Sequence, residues 1–401
     1  MYPAIHRKTT KITARIVHGV SLDLYQERTL SLRKMRLLGK ELREFLFFVC
    51  SLQFWRMAVA WSIALVASYL QLFVPSYYSQ KSYSYHRCFP VKSFFRPVCI
   101  ITGATSGLGA AAARALSKEG FTIVLVGRTS KALLKIAMEI QNVNEEAHLK
   151  AFEVDISSFQ SIYDFRKSLE KWLRDSDMHL SVHLLINNAG VLATSPRKTA
   201  EGYDEMMATN YIGAFCLTQL LLPLLINSPV PSRIVNVTSF THRSVSLAQT
   251  DKQAVTGGSF LQAKQYPFAE VYAYSKFCLL LFSYALHWQI GSSEKARHVS
   301  VILADPGFVE TNIMREVPAF ISSTAFGVAK LMCLLQSPDD GVRAIIDAAL
   351  APPETSGVYF FGGNGRTIKS SPLSYSEKLA KELWATSHDL FRELELACKE
   401  S

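Results

Sequence analysis

The stretch Ile101-Thr102-Gly103-Ala104-Thr105-Ser106-Gly107-Leu108-Gly109 decides the fold of this chain. An apolar run of strand length, residues 97–100, precedes it, and a run of strong helix formers, residues 110–116, follows it. A strand, a glycine turn and a helix in this order let a dinucleotide pyrophosphate approach the helix N-terminus. The glycines are spaced Gly-x-x-x-Gly-x-Gly rather than Gly-x-Gly-x-x-Gly, so a plain strand-to-helix turn remains the alternative on this stretch alone.

Short apolar runs of strand length recur on both sides of predicted helices. Such alternation is typical of a doubly wound parallel sheet, in which ligands collect at the carboxyl ends of the strands. Asp155 follows the third run, where a side chain could meet an adenine amino group. We predict an α/β fold of the Rossmann type with about seven strands, at residues 97–100, 121–127, 149–154, 184–186, 234–237, 299–303 and 357–361.

The residue after the second predicted strand bears on the choice of cofactor. A NAD site would be expected to place an acid there, about 20 residues beyond the glycines, to bind the ribose 2′-hydroxyl. The chain instead reads Gly127-Arg128. A planar guanidinium can hold a 2′-phosphate through two charge-assisted hydrogen bonds. NADP(H) is therefore the predicted cofactor, with a solvated surface arginine as the alternative.

Charge and cysteine content narrow the class of protein. The chain has 401 residues, 49% of them apolar, which is enough for one large α/β domain with an appendage. Its seven cysteines form no Cys-x-x-Cys pair, so we expect neither a metal site nor a disulfide framework. Of the net charge of +10, more than half falls in residues 1–44, which hold ten basic and four acidic side chains. This distribution favours a membrane surface over nucleic acid as the partner.

The segment after this basic arm predicts a membrane helix. Between residues 45 and 74 the only Lys, Arg, Asp or Glu is Arg56, and the run from Met57 to Val74 is uncharged. About 20 apolar residues cross a bilayer as a helix. A core helix, or a re-entrant hairpin broken at Arg56, is the alternative. Residues 75–96 are predicted to be a surface linker, residues 97–395 the folded domain and residues 396–401 a tail.

Basic residues flank the predicted membrane segment on both sides. Six Lys or Arg lie within about 20 residues upstream and three downstream, a modest bias that would place the N-terminus in the cytosol. We predict a single-pass, membrane-associated protein of the endoplasmic reticulum. A plastid or another organelle is the alternative, because residues 1–21 are basic, contain Ser and Thr and lack acids.

Six motifs follow one another over residues 97–311: Thr102-Gly103-x-x-x-Gly107-x-Gly109, Asn187-Asn188-Ala189-Gly190, Asn210 in Met-Ala-Thr-Asn-Tyr, Ser239, Tyr272-Ala-Tyr-Ser-Lys276, and Pro306-Gly307 with Thr311. Together they resemble the motifs of the short-chain dehydrogenase/reductase family. Within the family the chain is similar to the retinol dehydrogenase and protochlorophyllide reductase-like branch, through Arg233-Ile-Val-Asn-Val-Thr-Ser-x-x-His242 and Ser356-Gly-Val-Tyr-Phe-Phe361 with Leu383-Trp384. The resemblance covers about residues 97–395.

The resemblance implies a set of cofactor contacts. These would line a cleft at the carboxyl ends of the strands, around a nicotinamide dinucleotide. The implied cofactor-binding residues are Gly103, Thr105, Ser106, Gly107, Leu108, Gly109, Arg128, Asp155, Asn188, Ala189, Gly190, Tyr272, Lys276, Pro306, Gly307 and Thr311.

The residues Tyr272 and Lys276 themselves suggest the chemistry. They stand at i and i+4, on one helical face, and an ammonium near a phenol favours the phenolate, so we expect Lys276 to lower the pKa of Tyr272. A surface pair on a helix is the alternative for an isolated motif. The family resemblance implies that Tyr272 exchanges the proton with the substrate oxygen and that Lys276 holds the nicotinamide ribose. It further implies that Ser239 hydrogen-bonds the carbonyl and that Asn210 supports a water relay.

Two segments are expected to shape the substrate site. Ser239 and Tyr272 are separated by a long polar insertion, residues 244–265, which we predict to lie over the mouth of the site. The apolar segment at residues 310–336 suits a substrate lid, with an ordinary packed helix pair as the alternative.

The sequence therefore predicts a membrane-anchored, NADP(H)-dependent oxidoreductase that interconverts an alcohol and a carbonyl. The anchor and the branch resemblance point to a small lipophilic substrate such as a retinoid, a sterol or an isoprenoid. A homodimer is compatible with this reading. The alternative is a catalytically silent NADP(H)-binding sensor or scaffold at a membrane, although a pure binding protein has no need of Tyr272.

Overall fold

The computed structural model describes residues 52–73, 84–88, 96–317 and 319–400. The predicted basic arm, and the parts of the predicted membrane segment and linker beyond these ranges, lie outside the described residues. The described residues fall into a first unit that ends at Arg56, of which residues 52–56 are helical, and a second unit that begins at Met57. The sheet and the candidate site belong to the second unit.

Seven parallel strands form the central sheet. Except for the edge strand His148–Glu153, these strands are buried along their whole length, which explains why they appear in the sequence as short, mainly apolar runs. The strands are β1 (Val98–Thr102), β2 (Thr122–Gly127), β3 (His148–Glu153), β4 (Leu184–Asn187), β5 (Ser232–Val237), β6 (Val299–Asp305) and β9 (Tyr359–Phe361). A separate pair, β7 (Phe308–Val309) and β8 (Leu335–Gln336), lies just beyond β6.

The sheet order, β3-β2-β1-β4-β5-β6-β9, reverses direction between β1 and β4. Ile100 in β1 pairs with Val124 in β2 and with Leu185 in β4. This switch of direction opens a crevice at the carboxyl ends of the strands. The predicted α/β class and all seven predicted strands are confirmed, with boundaries that differ by at most two residues.

Helices cover both faces of the sheet. Helices α2, α3 and α10 pack on one face and α4, α5 and α8 on the other, while the C-terminal α11 packs on α8. The helices are α1 (Leu52–Phe73), α2 (Gly107–Ser117), α3 (Ser130–Val143), α4 (Phe159–Asp175), α5 (Glu205–Ile226), α6 (Lys252–Val255), α7 (Gly258–Leu261), α8 (Phe268–Ser292), α9 (Ala319–Leu331), α10 (Pro338–Ala349) and α11 (Glu377–Glu400).

The glycine turn between β1 and α2 needs glycine for two different reasons. Gly103 and Gly107 have positive φ angles of 66° and 52°, which side chains with a Cβ rarely adopt. Gly109 has an ordinary helical conformation, but a Cβ there would lie 2.3 Å from the Gly103 carbonyl oxygen and 2.6 Å from Asn188 Nδ2. The turn therefore brings α2 into direct backbone contact with the ends of β1 and β4.

Part of the predicted linker is docked on the domain. The backbone N–H of Tyr85 donates to the Gly365 carbonyl at 2.9 Å, and Arg87 forms an ion pair with Asp347 at 2.8 Å. Residues 84–88 thus run along the edge of the fold near β9.

Helix α1 covers most of the segment predicted to enter a membrane. From Met57 onward one of its faces packs on the domain, where Ala64 and Leu65 are buried against Phe240. The opposite face is apolar and open, with exposed fractions of 55%, 63%, 40% and 53% for Val59, Ile63, Val66 and Leu70.

Among the described residues, α5 is the helix whose length and composition match a membrane span. This helix is long and apolar enough to cross a bilayer, but 78% of that stretch is buried inside the domain. Burial in the core explains why α5 is so apolar. Nothing in the described residues tests whether residues 45–74 span a membrane, and this stays a prediction.

Candidate active site

The carboxyl ends of the strands open onto one cleft of about 300 Å³. This is the place where ligands bind in parallel α/β sheets. The structure brings together on its walls nearly all of the residues predicted from the sequence: Gly103, Thr105, Ser106, Gly107, Leu108, Arg128, Asp155, Asn188, Ala189, Gly190, Ser239, Tyr272, Lys276, Pro306, Gly307 and Thr311.

Two of the predicted residues lie behind the wall of the cleft. Gly109 faces the Gly103 carbonyl, as described above. Asn210 is 1% exposed and sits in a π-helical turn, Ala208–Ile212, within α5. Its Oδ1 accepts from the Val191 N–H at 2.8 Å, and its Nδ2 donates to the Val191 carbonyl and to Ser275 Oγ, both at 3.0 Å. Asn210 therefore braces the loop after β4 against helix α8.

Tyr272, Ser239 and Lys276 converge at the end of β5. The Tyr272 hydroxyl is hydrogen-bonded to Ser239, whose Oγ also accepts from the Thr241 N–H at 3.3 Å and from Thr241 Oγ1 at 3.1 Å. Lys276 Nζ donates to the Val237 carbonyl at 2.9 Å and lies 6.0 Å from the centre of the Tyr272 ring. The arrangement places a phenol, a hydroxyl and an amine around one small volume.

Burial shifts the pKa values of both Tyr272 and Lys276. It raises the pKa of Tyr272 above its usual value, and the charge of Asp305 adds to the rise while the hydrogen bond from Ser239 opposes it. Burial lowers the pKa of Lys276 to about 8, against the opposing effect of Asp305. The pKa of Tyr272 therefore lies above its usual value and not in the neutral range expected from the sequence, because burial and the charge of Asp305 raise it in the chain alone.

Asp305 is a site residue that the sequence analysis missed. It is fully buried at the end of β6, where Oδ2 accepts from the Tyr359 hydroxyl at 2.6 Å and Oδ1 from the Gly307 N–H at 2.9 Å. Burial raises the pKa of its carboxyl to about 6. Asp305 thereby fixes the Pro306-Gly307 turn at the cleft, and an acid directly before Pro-Gly was the available signal.

The glycine turn and its surroundings fit a dinucleotide. Helix α2 starts beside the cleft, its N-cap Ser106 makes no side-chain capping bond, and its first turn contains no acid. Its first N–H groups can therefore bind an anionic pyrophosphate. In the described part of the chain, two buried hydroxyls on the cleft wall, Thr209 Oγ1 and Thr238 Oγ1, have no hydrogen-bond partner. A polar ligand would supply one.

The cleft also has apolar side chains on its wall. Its lining includes Phe240, Phe308, Ile313 and Met314, together with Trp61 from helix α1. The predicted lid segment at residues 310–336 contributes residues 311–315 to this lining. The sequence did not predict a contribution of Trp61, because residues 45–74 were expected to form a membrane helix.

The insertion at residues 244–265 lies elsewhere than predicted. All of these residues are described, and none of them lines the cleft. Thr250 and Lys252 bind Glu382 and Glu393 of the C-terminal helix α11, and the Thr250 carbonyl accepts from Thr386. These polar contacts hold the insertion against α11, so the expectation that it covers the site mouth is wrong.

The fold and the site define an oxidoreductase of the alcohol–carbonyl type with a nicotinamide cofactor, and comparisons with known proteins agree. Residues 97–250 match the family model for short chain dehydrogenases. Human polyprenol dehydrogenase is 32% identical over 302 residues, which cover 73% of this chain and 84% of that protein. Human retinol dehydrogenase 13 is 30% identical, over 72% of this chain and 82% of its own length. The chain belongs to the short-chain dehydrogenase/reductase family, in its retinol dehydrogenase-like branch.

Solved structures share this fold. An uncharacterized protein from Mycobacterium paratuberculosis matches with a TM-score of 0.56 and 25% identity, over 75% of this chain and 95% of that one. The actinorhodin polyketide ketoreductase, crystallised with NADPH, matches with a TM-score of 0.51 and 22% identity, over 67% and 97% of the two chains.

His242 supports Ser239 from behind. It is fully buried, its Nδ1 lies 2.6 Å from the Ser239 carbonyl oxygen, and its Nε2 accepts from the Ser371 N–H at 3.1 Å. The second contact requires an unprotonated Nε2, so Nδ1 carries the hydrogen and the ring is neutral. Burial, with the charge of Arg243, lowers the pKa of His242 to about 3.

The pKa of His242 predicts a loss of stability in mild acid. In the unfolded chain the imidazole gains a proton below about pH 6.5, whereas in the folded chain it does so only near pH 3. The free energy of unfolding therefore falls as the pH drops through this window, by about 2 kcal/mol from pH 7 to pH 5 for this one group. Denaturant unfolding of the wild type and of His242→Gln at both pH values measures it. An equal pH effect in both proteins would contradict the assignment. Burial also lowers the pKa of His183, but this residue is present in both proteins and so does not cause a difference between them.

Proposed function

We propose that this chain is an NADP(H)-dependent oxidoreductase that interconverts an alcohol and a carbonyl on a small lipophilic substrate at a membrane. The observation that carries the chemistry is the convergence of Tyr272, Ser239 and Lys276 on one cleft beside the glycine turn. Polyprenol dehydrogenase and the retinol dehydrogenases, which are relatives of this chain, support a lipophilic alcohol as substrate.

Each side chain has a role that follows from its position. The Tyr272 hydroxyl gives its proton to the substrate oxygen in reduction and takes it back in oxidation. Ser239 hydrogen-bonds the same oxygen and so orients the carbonyl. Lys276, one helical turn from Tyr272, holds the ribose of the dinucleotide and stabilises the phenolate as it forms. The cleft would hold a nicotinamide cofactor beside these side chains, and the chemistry supplied by that cofactor would be hydride transfer to or from the substrate carbon.

Asn210 is buried behind the wall of the cleft, so its role is to position other residues and not to contact the substrate. Its bonds to Val191 and Ser275 fix the loop that carries Asn188 to Gly190 along the cleft. We propose that it keeps this loop and the start of helix α8 at the right separation for a proton relay behind Lys276, whose Nζ lies close to Gly190.

Replacement of Tyr272 tests the mechanism. Tyr272→Phe removes the proton donor and leaves the ring, so we expect NADPH binding to be retained and turnover of retinal or farnesal to fall by about 10²-fold or more. The matched control is Tyr274→Phe, because the Tyr274 hydroxyl donates to the Gln249 carbonyl away from the cleft. Initial rates of NADPH oxidation measure both.

Two outcomes would contradict this assignment. Equal turnover by Tyr272→Phe and wild type would exclude Tyr272 as the proton donor. Tight NADPH binding without turnover of any retinoid, sterol or isoprenoid carbonyl by the wild type would favour the sensor or scaffold.

The preference for NADP(H) rests on Arg128. Its side chain lines the cleft just beyond β2, is 51% exposed, and lies 3.6 Å from Glu205. Glu205 also forms an ion pair with Arg197, so its charge is shared between two guanidinium groups. This leaves Arg128 with capacity to bind a 2′-phosphate from the open side.

Exchange of Arg128 for an acid should reverse the cofactor preference. Arg128→Asp removes the charge that binds the 2′-phosphate and adds an acceptor for a ribose hydroxyl, so the ratio of kcat/KM for NADPH to that for NADH should drop by about 10-fold or more. Arg114→Asp, on helix α2 and away from the cleft, is the control for the change in net charge. An unchanged ratio in Arg128→Asp would refute the assignment.

Membrane association rests on the open face of helix α1. Val59, Ile63, Val66 and Leu70 form an exposed apolar stripe, while the other face of the helix is occupied by the domain. The basic excess in residues 1–44 is complementary to an anionic membrane surface. We therefore propose that α1 lies in the membrane interface with this stripe in the acyl region.

Flotation of the full chain with vesicles tests this attachment. On vesicles of phosphatidylcholine and phosphatidylserine, the wild type should float, and a variant with all four stripe residues changed to serine should float several-fold less, because the buried apolar area is lost. Retained NADPH binding by the variant shows that its domain is folded. Equal flotation of both proteins would contradict a role for the stripe.

A further inference from the structure

Helix α1 borders the cleft through Trp61. Its buried residues Ala64 and Leu65 pack with Phe240, which directly follows Ser239, and Phe308 lies against the same cluster. The helix therefore touches the segments that follow β5 and β6, which carry Ser239 and the Pro306-Gly307 turn on the wall of the cleft. A helix in this position forms a wall of the substrate site.

The wall is fixed by hydrogen bonds along the second half of the helix. Arg243 Nε donates to Ser68 Oγ at 2.9 Å, Gln336 Nε2 donates to the Tyr69 hydroxyl at 3.1 Å, and the Lys369 N–H donates to Gln71 Oε1 at 3.1 Å. Their partners come from three different segments of the domain. The position of α1 is thus specified by the fold of this chain.

Trp61 is the residue of this wall that contacts Tyr272. Its ring centre lies 5.8 Å from that of Tyr272, at an interplanar angle of 53°, and its side chain lines the cleft. An indole offers a large, rigid apolar face that loses little conformational entropy when it binds a ligand. The substrate carbon chain next to the carbonyl has to pass this face to bring its oxygen to Tyr272.

We propose that Trp61 is a specificity-determining residue, which selects substrates whose apolar chain lies flat on the indole while the carbonyl reaches Tyr272. This inference rests on the proposed function and adds that the enzyme recognises the apolar chain of its substrate. An isoprenoid or retinoid chain, which is planar at its double bonds, fits such a face. Small polar carbonyls gain nothing from it.

The test compares a long and a short substrate in variants of the full chain. For Trp61→Ala we expect the KM for farnesal to rise about 10-fold with a small change in kcat, because an apolar contact to the substrate chain is lost. The kcat/KM for butanal should stay within about 2-fold of wild type, since its short chain covers only a small part of the indole. Trp61→Phe should restore most of the farnesal affinity. Trp55→Ala removes an exposed indole of the same helix that does not line the cleft, so it is the matched control and should behave as wild type.

Farnesol binding, measured by equilibrium dialysis with radiolabelled farnesol, tests the proposal without turnover. A drop in affinity of about 10-fold in Trp61→Ala, but not in Trp55→Ala, supports it whether or not the wild type is active. Unchanged farnesol affinity in Trp61→Ala overturns it. An equal loss of kcat/KM for farnesal and butanal also overturns it, because Trp61 would then only position Tyr272. Failure of the wild type to reduce any carbonyl counts against the proposed function and leaves the binding result to decide on Trp61.

Discussion

The contact between helix α2 and the ends of two neighbouring strands is the constraint on which the rest of the site depends. The Gly109 backbone reaches the Gly103 carbonyl so closely that no other residue fits, and Asn188 Nδ2 completes the junction by donating to the Thr102 carbonyl at 2.8 Å. Thr102 Oγ1 in turn accepts from the N–H groups of Asn188 and Ala189. Because this junction joins β1, β4 and α2, it sets the floor of the cleft.

From this floor the reacting groups are placed by strands and one long helix. Ser239 follows β5, Asp305 ends β6, and α8 carries both Tyr272 and Lys276, so each sits on a rigid element. The side chains are buried, which makes their mutual electrostatics strong and their pKa values sensitive to one another. Asp305 illustrates this: its charge favours the ammonium of Lys276 and disfavours the phenolate of Tyr272.

Sequence patterns predicted the sheet and most of the cleft because both leave local signals. Strands buried on both faces read as short apolar runs, and polar motifs directly after them fall at the same edge of a parallel sheet. Helix α1 gave no such signal, because an apolar helix looks the same in sequence whether lipid or a protein domain covers it. The role of Trp61 therefore required tertiary contacts, as did the docking of residues 244–265 on α11. The direction of the Tyr272 pKa shift likewise depends on burial, which spacing does not report.

The central claim is that the glycine turn and the Tyr272 group face one bound dinucleotide. A crystal structure of the full chain with NADPH measures this directly, through the position of the nicotinamide ring. We expect the pyrophosphate at the start of α2 and the nicotinamide C4 atom beside Tyr272 and Pro306-Gly307. One substrate carbonyl group could then contact both the C4 atom and the Tyr272 hydroxyl. A nucleotide bound elsewhere, or a nicotinamide ring turned away from Tyr272, would contradict it.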